Sequence, residues 1–435
     1  MQVCQQLKES STHKAAAFAA LAFFSAAVLP SNALSAPELP LMTIDQLEYV
    51  GGFRVSDGTF GNSSANNSAG PIAYNPNNHS LFLAGHESDK SIAEFAIPAI
   101  VNSETVTDLN ISGSPIQNFT EVLRQASISF GINIVVSGMI QVNNKLIINN
   151  YDFYDQSPYN SANTLVLNQP NNIASGDVDG YFSMQGGSKA AGWMSPIPAD
   201  WRADLGGTHI SGFSKSTSRA NKDSSYGPSA YAFNAGEVAN NSGSIGSIGT
   251  KPLLYYTIDK TLAPDNDMYN SSRTNTLWTN MSEANFGMIV PGTSTYMVLG
   301  SSGGHVSGVS YGEPPYGGYK GYYTNDKYDV YNYYWLYDVN DLVAAKNGLI
   351  NPVSIKPYKA GEFNAPYQGS LINKVSGGSF DPASGQLYLT ISDADKYQGG
   401  QSPFPPVIAV FKFSSEFKEL ASPDSPSDVK AVQVK

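Results

Sequence analysis

GSFDPASGQLYLTISDAD (Gly378–Asp395), followed by PVIAVFKF (Pro406–Phe413), decides the architecture. A Gly opens an apolar run, and Asp381-Pro382-Ala383-Ser384-Gly385 supplies the φ values of a tight turn. A second apolar run then enters a polar loop, and a third run carries aromatics. The same order recurs upstream. Gly70 leads PIAYNP, the turn Asn75-Pro76-Asn77-Asn78, LFLAGH and SIAEFAIP; Gly138 leads MIQV, Asn143-Asn144, KLIINNYDFYD and NTLVLNQ. Gly192 leads WMSPIP, a longer connection, THISGFS and SAYAFNA; Gly287 leads MIVPG, TSTYMVLGSSGGH and NYYWLYD.

Recurrence of one supersecondary unit, each too small to bury its own apolar face, marks a radial array of sheets: an all-β β-propeller with five blades. A rival count of six or seven places further strands in 101–131 and 240–285. A Gly at the head of each innermost strand suits the crowding near the axis, where a missing Cβ lets backbones approach. Fourth strands are expected at FTEVL (119–123), GYFSM (180–184), PLLYYTIDK (252–260) and PVSIKPY (352–358). The last copy has none after Phe413. Leu47–Val55 is strand-like and stands before the first copy without a partner, so pairing it with the last blade closes the ring and removes a long edge. A short helix is expected over Asp338–Gly348, capped by Asp338 or Asn340 and ended by Gly348.

Residues 1–33 read as a secretory signal: Lys8 and Lys14 precede an apolar core from Ala15 to Leu29, and Ser31-Asn32-Ala33 offers small residues for cleavage. The expected organisation is this signal, one propeller domain over 34–413, and a Ser/Pro/Lys-rich tail over 414–435. The expected localisation is secreted or periplasmic, with no transmembrane segment once the signal is removed. The single cysteine, Cys4, lies in the signal, so the mature chain has no disulfide or thiolate metal site. A net charge of −11 with 25 Lys and Arg argues against nucleic acid, whose binding depends on neutralising phosphates. Asn-x-Ser/Thr triplets at Asn62, Asn110, Asn118 and Asn270 would be acceptors in a glycosylating secretory route.

Loops joining second to third strands emerge on one propeller face, with the connections between blades. Two constellations fall there. His86, Asp152, His305 and Asp393 come from four blades and are candidates for a polar ring that binds ligand, holds a divalent metal such as calcium, or works as acid and base. The alternative is that they fasten loop backbone; no HExxH or DxDxDG spacing is present. The second is the aromatic loop of the fourth copy, with Tyr311, Tyr316, Tyr319, Tyr322 and Tyr323 outside any strand period. Exposed Tyr offers a flat apolar face with a polar tip, suited to sugar rings or protein surfaces. The alternative is mutual packing that holds a long structureless loop together.

The five Gly-led hairpins and the exchanged terminal strand resemble secreted β-propeller proteins in general, over roughly 47–413. Five-bladed glycoside hydrolases share the blade number, but that family places Asp and Glu on innermost strands, where this chain is apolar apart from Asp381. The function expected is a secreted or periplasmic binding propeller with an extracellular glycan or protein as partner and no required cofactor. The alternatives are a polysaccharide-active hydrolase or lyase using the His/Asp ring, and a structural surface protein.

Overall fold

The computed structural model describes residues 39–123, 134–152, 162–215, 224–243, 246–318, 320–367, 373–400 and 402–414. The expected signal over 1–33, the tail beyond Ser414 and Tyr319 lie outside them. The described residues fall in one compact unit. Its sheets form a five-bladed β-propeller.

Blade one is Ile72–Asn75, Ser80–Ala84, Ser91–Ala96 and Gln117–Glu121; blade two is Ile134–Val142, Lys145–Asp152, Thr164–Leu167 and Val178–Met184. Blade three is Trp193–Pro196, His209–Gly212, Ala230–Phe233 and Lys251–Leu254; blade four is Glu283–Ile289, Thr295–Gly303, Val330–Asp338 and Lys359–Glu362. Blade five takes Val375–Asp381, Gln386–Ile391 and Val407–Phe413 from the end of the chain and Leu47–Arg54 from its beginning. That strand runs antiparallel to Val407–Phe413, from Leu47 opposite Phe413 to Arg54 opposite Val407, with a bulge after Tyr49. The residues before it continue the closure: Pro40 O accepts from Ser294 N, Met42 N donates to Thr295 Oγ1, and Tyr358 Oη donates to Met42 O.

The core lies between blades, as alternating side chains of each sheet require. Phe82, Ile92, Ile134, Val136, Ile148 and Tyr181 join blades one and two; Phe53, Ile72, Leu81, Tyr388 and Ile408 join blades five and one. At the axis the predicted crowding is real. A Cβ on Gly138 would collide with the Gly192 carbonyl, and one on Gly377 with the Gly70 carbonyl.

Two short strands tie neighbouring blades. Ser214–Lys215, in the blade-three loop, pairs with Ala284 and Glu283 on the innermost strand of blade four. Ser247–Ile248 adds in parallel to the outer strand of blade two at Ser183 and Met184. The helix forms as Val339–Lys346, with the Asp338 side chain accepting from Asn340 N. The fourth strand of blade four is displaced from its expected place. Pro352–Ser354 is a 3₁₀ turn whose Asn351 side chain accepts from Val353 N, and the strand begins at Lys359. Pro352 and Pro357 lack the N–H that a ladder needs. Among the described residues, 101–131 and 240–285 supply edge strands and connections, so the count of six or seven does not arise.

His209, on the second strand of blade three, gives the fold a pH dependence. Burial, and secondarily Arg202, lower its pKa from 6.5 to about 4. The unfolded chain therefore takes up this proton first. The stability is present above pH 6.5 and is lost as pH falls from there toward about 4. The shift corresponds to roughly 3–4 kcal/mol. Urea unfolding of the wild type and of His209→Gln between these limits should converge as pH falls; parallel curves would reject the assignment.

Candidate functional site

The aromatic loop of blade four is ordered by a small hairpin, although its residues carry no strand period. Val309–Gly312 pairs antiparallel with Gly321–Thr324, Tyr311 opposite Tyr322 and Ser310 opposite Tyr323. Alternation then sorts the rings onto two faces. On one, Tyr311 meets Tyr322 edge-on at 5.0 Å between centroids, and Tyr269 from the preceding interblade connection meets Tyr322 at 6.0 Å. On the other, Tyr316 stands perpendicular to Tyr323 at 6.1 Å, with its hydroxyl donating to Thr324 O. Tyr311 is 58% exposed and Tyr328, with Lys327 Nζ 4.7 Å from its ring centroid, is 74% exposed. Mutual packing and exposure therefore coexist: the rings brace one another and still present faces to water.

The hairpin stands on a turn fixed from several sides. Gly304 and Gly308 adopt φ of +74° and +80°, and Gly308 N donates to Gly304 O. Asn270 Nδ2 donates to both Gly304 O at 2.9 Å and His305 O at 2.7 Å. Asp329 is buried; its Oδ2 accepts from Val306 N, Ser307 N and Ser307 Oγ, and its Oδ1 from the Tyr331 hydroxyl. A carboxylate taking several N–H and O–H donors holds backbone strongly.

His305 belongs to this turn. It is buried, with Nε2 2.8 Å from Ser302 Oγ and Nδ1 2.8 Å from Asn275 O, and its ring stacks on Tyr331 and Tyr333 at 5.9 and 5.0 Å. Burial lowers its pKa; the bond to the Asn275 carbonyl and the Asp329 charge oppose the shift in part. Nδ1 faces a carbonyl and carries the proton, so Nε2 accepts from Ser302.

The other expected ring members are used locally. His86 Nδ1 accepts from Ser88 N, and its Nε2 lies 3.4 Å from Asn67 Nδ2. Asp393, at φ +53°, accepts from Phe404 N and through its main-chain carbonyl from Asn373 Nδ2. Asp152 ends the second strand of blade two, opposite Ile134. The nitrogens of His305 are engaged by Ser302 of blade four and by Asn275 of the connection before it, not by His86 or Asp393. Among the described residues no group of three or more His, Cys, Asp and Glu is placed to hold a metal ion. Blades one, four and five share a device instead: an Asn from the connection before the blade (Asn67, Asn270, Asn373) bonds the loop after its second strand.

Among the described residues, side chains from several blades close in on a small central chamber. Pro71, Ser137, Trp193, Asn285 and Ser376 line a chamber of about 10 Å³ with Tyr151 and Phe213, whose rings are 4.5 Å apart. The strand at Ser214–Lys215 starts directly beyond Phe213. A cleft of about 680 Å³ lies elsewhere, between Asp259–Asn266 and Asn351–Lys356. It is wide open and mixes Asp259 and Asp265 with Lys260 and Lys356.

Sequence reasoning missed Asp329, Asn270 and Tyr269. It could have found the hairpin from VSYG and GYYT flanking Pro314-Pro315-Tyr316-Gly317-Gly318. Asn270 was read as a glycan acceptor; it is fully buried with its amide committed, whereas Asn62, Asn110 and Asn118 are exposed.

No protein-family model matches the chain, and no curated protein matches it. Among solved structures, the PQQ-bound aldose sugar dehydrogenase of Streptomyces coelicolor is similar over 84% of this chain and 97% of that one, with a TM-score of 0.29 and 11% identity. Likeness at that level carries no argument about this chain.

Proposed function

We propose that the chain is an exported binding propeller and that the blade-four hairpin holds a glycan by stacking. The observation that carries this reading is the pairing of exposed Tyr rings with a turn whose backbone is bonded by Asp329 and Asn270. Rings held in place before binding lose little conformational freedom when a ligand arrives. The surroundings are largely polar, with Ser, Asn, Gly, Lys, Glu313 and Asp326, and besides Pro314 and Pro315 the exposed large aliphatic side chain is Val306. Flat apolar faces spaced by polar groups match the alternating C–H and O–H faces of a pyranose better than the aliphatic centre of a protein interface. The buried carboxylates serve structure. Glu94 accepts from Asn75, Asn78, Ser80 and Gln117, and Asp381 from Ala383 N and Ser384 Oγ.

The test is an array of neutral and charged polysaccharides probed with the mature chain, with calcium and with chelator. Binding should survive chelation and fall at least roughly tenfold when Tyr311 and Tyr316 become Ala, as for loss of one or two stacking contacts. Loss on chelation would transfer the site to a metal. No binding in either condition would leave a protein partner.

A further inference from the structure

We propose that His305 is an acid-sensitive clasp: as the neutral imidazole it holds the Gly304–Gly308 turn closed, and its protonation releases the turn and weakens binding at the hairpin. The inference rests on the binding reading above and concerns how that site is regulated.

The geometry gives His305 two neutral hydrogen bonds that reach in different directions. Nδ1–H ties the turn to the Asn275 carbonyl of the interblade connection, and Nε2 takes the Ser302 hydroxyl on the second strand, which itself lies 2.7 Å from Ser282 Oγ. A proton on Nε2 removes the acceptor that Ser302 uses and forces this hydroxyl chain to turn round. It also places a full charge where burial excludes water, which costs free energy unless a partner compensates. The groups facing the ring are few. Tyr331 and Tyr333 cover it from the third strand, and Asp329 lies beside the same strand with Oδ2 already taking three donors from Val306 and Ser307. The connection carries Asp267, which accepts from Ser272 N, and Arg273, which lies against Gly308 and donates to Asn270 O. The bond to the Asn275 carbonyl and the Asp329 charge soften the cost, and burial outweighs them.

Opening the turn returns the imidazole to water and to its ordinary pKa of 6.5. The open form then binds a proton that the closed form resists. By linkage the closed form is fully favoured above about pH 6.5 and loses ground below it, by at most tenfold for each unit that burial lowers the pKa.

The experiment reads hydrogen exchange without ligand at the amides of Gly308, Val309 and Asn325, which bond to Gly304 O, Tyr269 O and Gly308 O. After correction for intrinsic rates, their protection in the wild type should fall roughly fivefold between about pH 7.5 and about pH 5, and by less than about twofold in His305→Gln. An NMR titration of the His305 ring in the wild type supplies a readout that survives a poorly folding variant: its midpoint should lie below 6.5 and coincide with the exchange midpoint. Protection that ignores pH, or an equal fall in His305→Gln that assigns the effect to Asp329, overturns the clasp. The fates of the two ideas separate. Exchange that responds to pH in a chain binding no polysaccharide sinks the binding reading alone, and polysaccharide binding with unresponsive exchange sinks the clasp alone.

Discussion

Asp395→Ala should lower the unfolding free energy by about 3–5 kcal/mol, the cost of leaving a buried charge without its partner. Asp395 Oδ2 lies 2.8 Å from Arg54 Nε and Oδ1 3.0 Å from Arg54 Nη2, with side-chain exposures of 0% and 10%. This is the bidentate fork for which guanidinium is shaped. Asp395 also accepts from Gln398 Nε2 and Tyr397 N, so the carboxylate is wrapped in donors. Removing it strands the guanidinium of the terminal strand inside blade five. Urea unfolding at neutral pH measures the loss. A change under about 1 kcal/mol would mean that the pair behaves as a solvent-screened surface bridge. Arg54→Met combined with Asp395→Leu should recover most of the stability, because an apolar pair of similar volume avoids both desolvation costs.

A chain shortened to begin at Val55 should lose its cooperative unfolding transition. The shortening removes the pairing of Leu47–Arg54 with Val407–Phe413 and withdraws Met42, Leu47 and Phe53 from the core. Each such side chain contributes about 1.5–3 kcal/mol on burial, and the ladder bonds about 1 kcal/mol each. Their sum rivals the 5–15 kcal/mol by which a typical domain is stable. The exposed strand also becomes an unpaired edge, so association is expected wherever the chain stays soluble. Calorimetry and size-exclusion chromatography report both effects, and a peptide of residues 39–54 added in trans should restore a transition. A monomer melting within about 5 °C of the full chain would show that the closure contributes little.

The blades were legible because each rests on two local signals that agree: alternating apolar runs and turn residues of defined φ. The terminal closure was legible because an unpaired strand at one end matched a missing one at the other. Pro352 and Pro357 displaced a strand that hydrophobicity alone had placed too early. The hairpin at Tyr311–Tyr322 escaped because Tyr and Gly alternate there without an apolar period. Three of the expected ring residues are engaged locally for a different reason. His86, His305 and Asp393 sit in loops whose backbone groups need partners, and short polar side chains satisfy the nearest ones. Asn270 and Asp329 do this same work and have no signature, since a side chain that bonds main chain can be placed only when the loop path is known. The meeting of Phe213 and Tyr151 across blades was equally hidden, because no local pattern encodes it.

The central claim is that ligand is held at the blade-four hairpin. It is tested most directly by a depletion isotherm on the best polysaccharide from the array, for the wild type and for Tyr311→Ala and Tyr328→Ala, with thermal unfolding recorded alongside. Both rings are mainly exposed, so the melting temperatures should agree within about 2 °C while Kd rises at least tenfold, roughly 1.4 kcal/mol, in one variant or both. Unchanged Kd values in both variants, with the fold intact, would contradict the account.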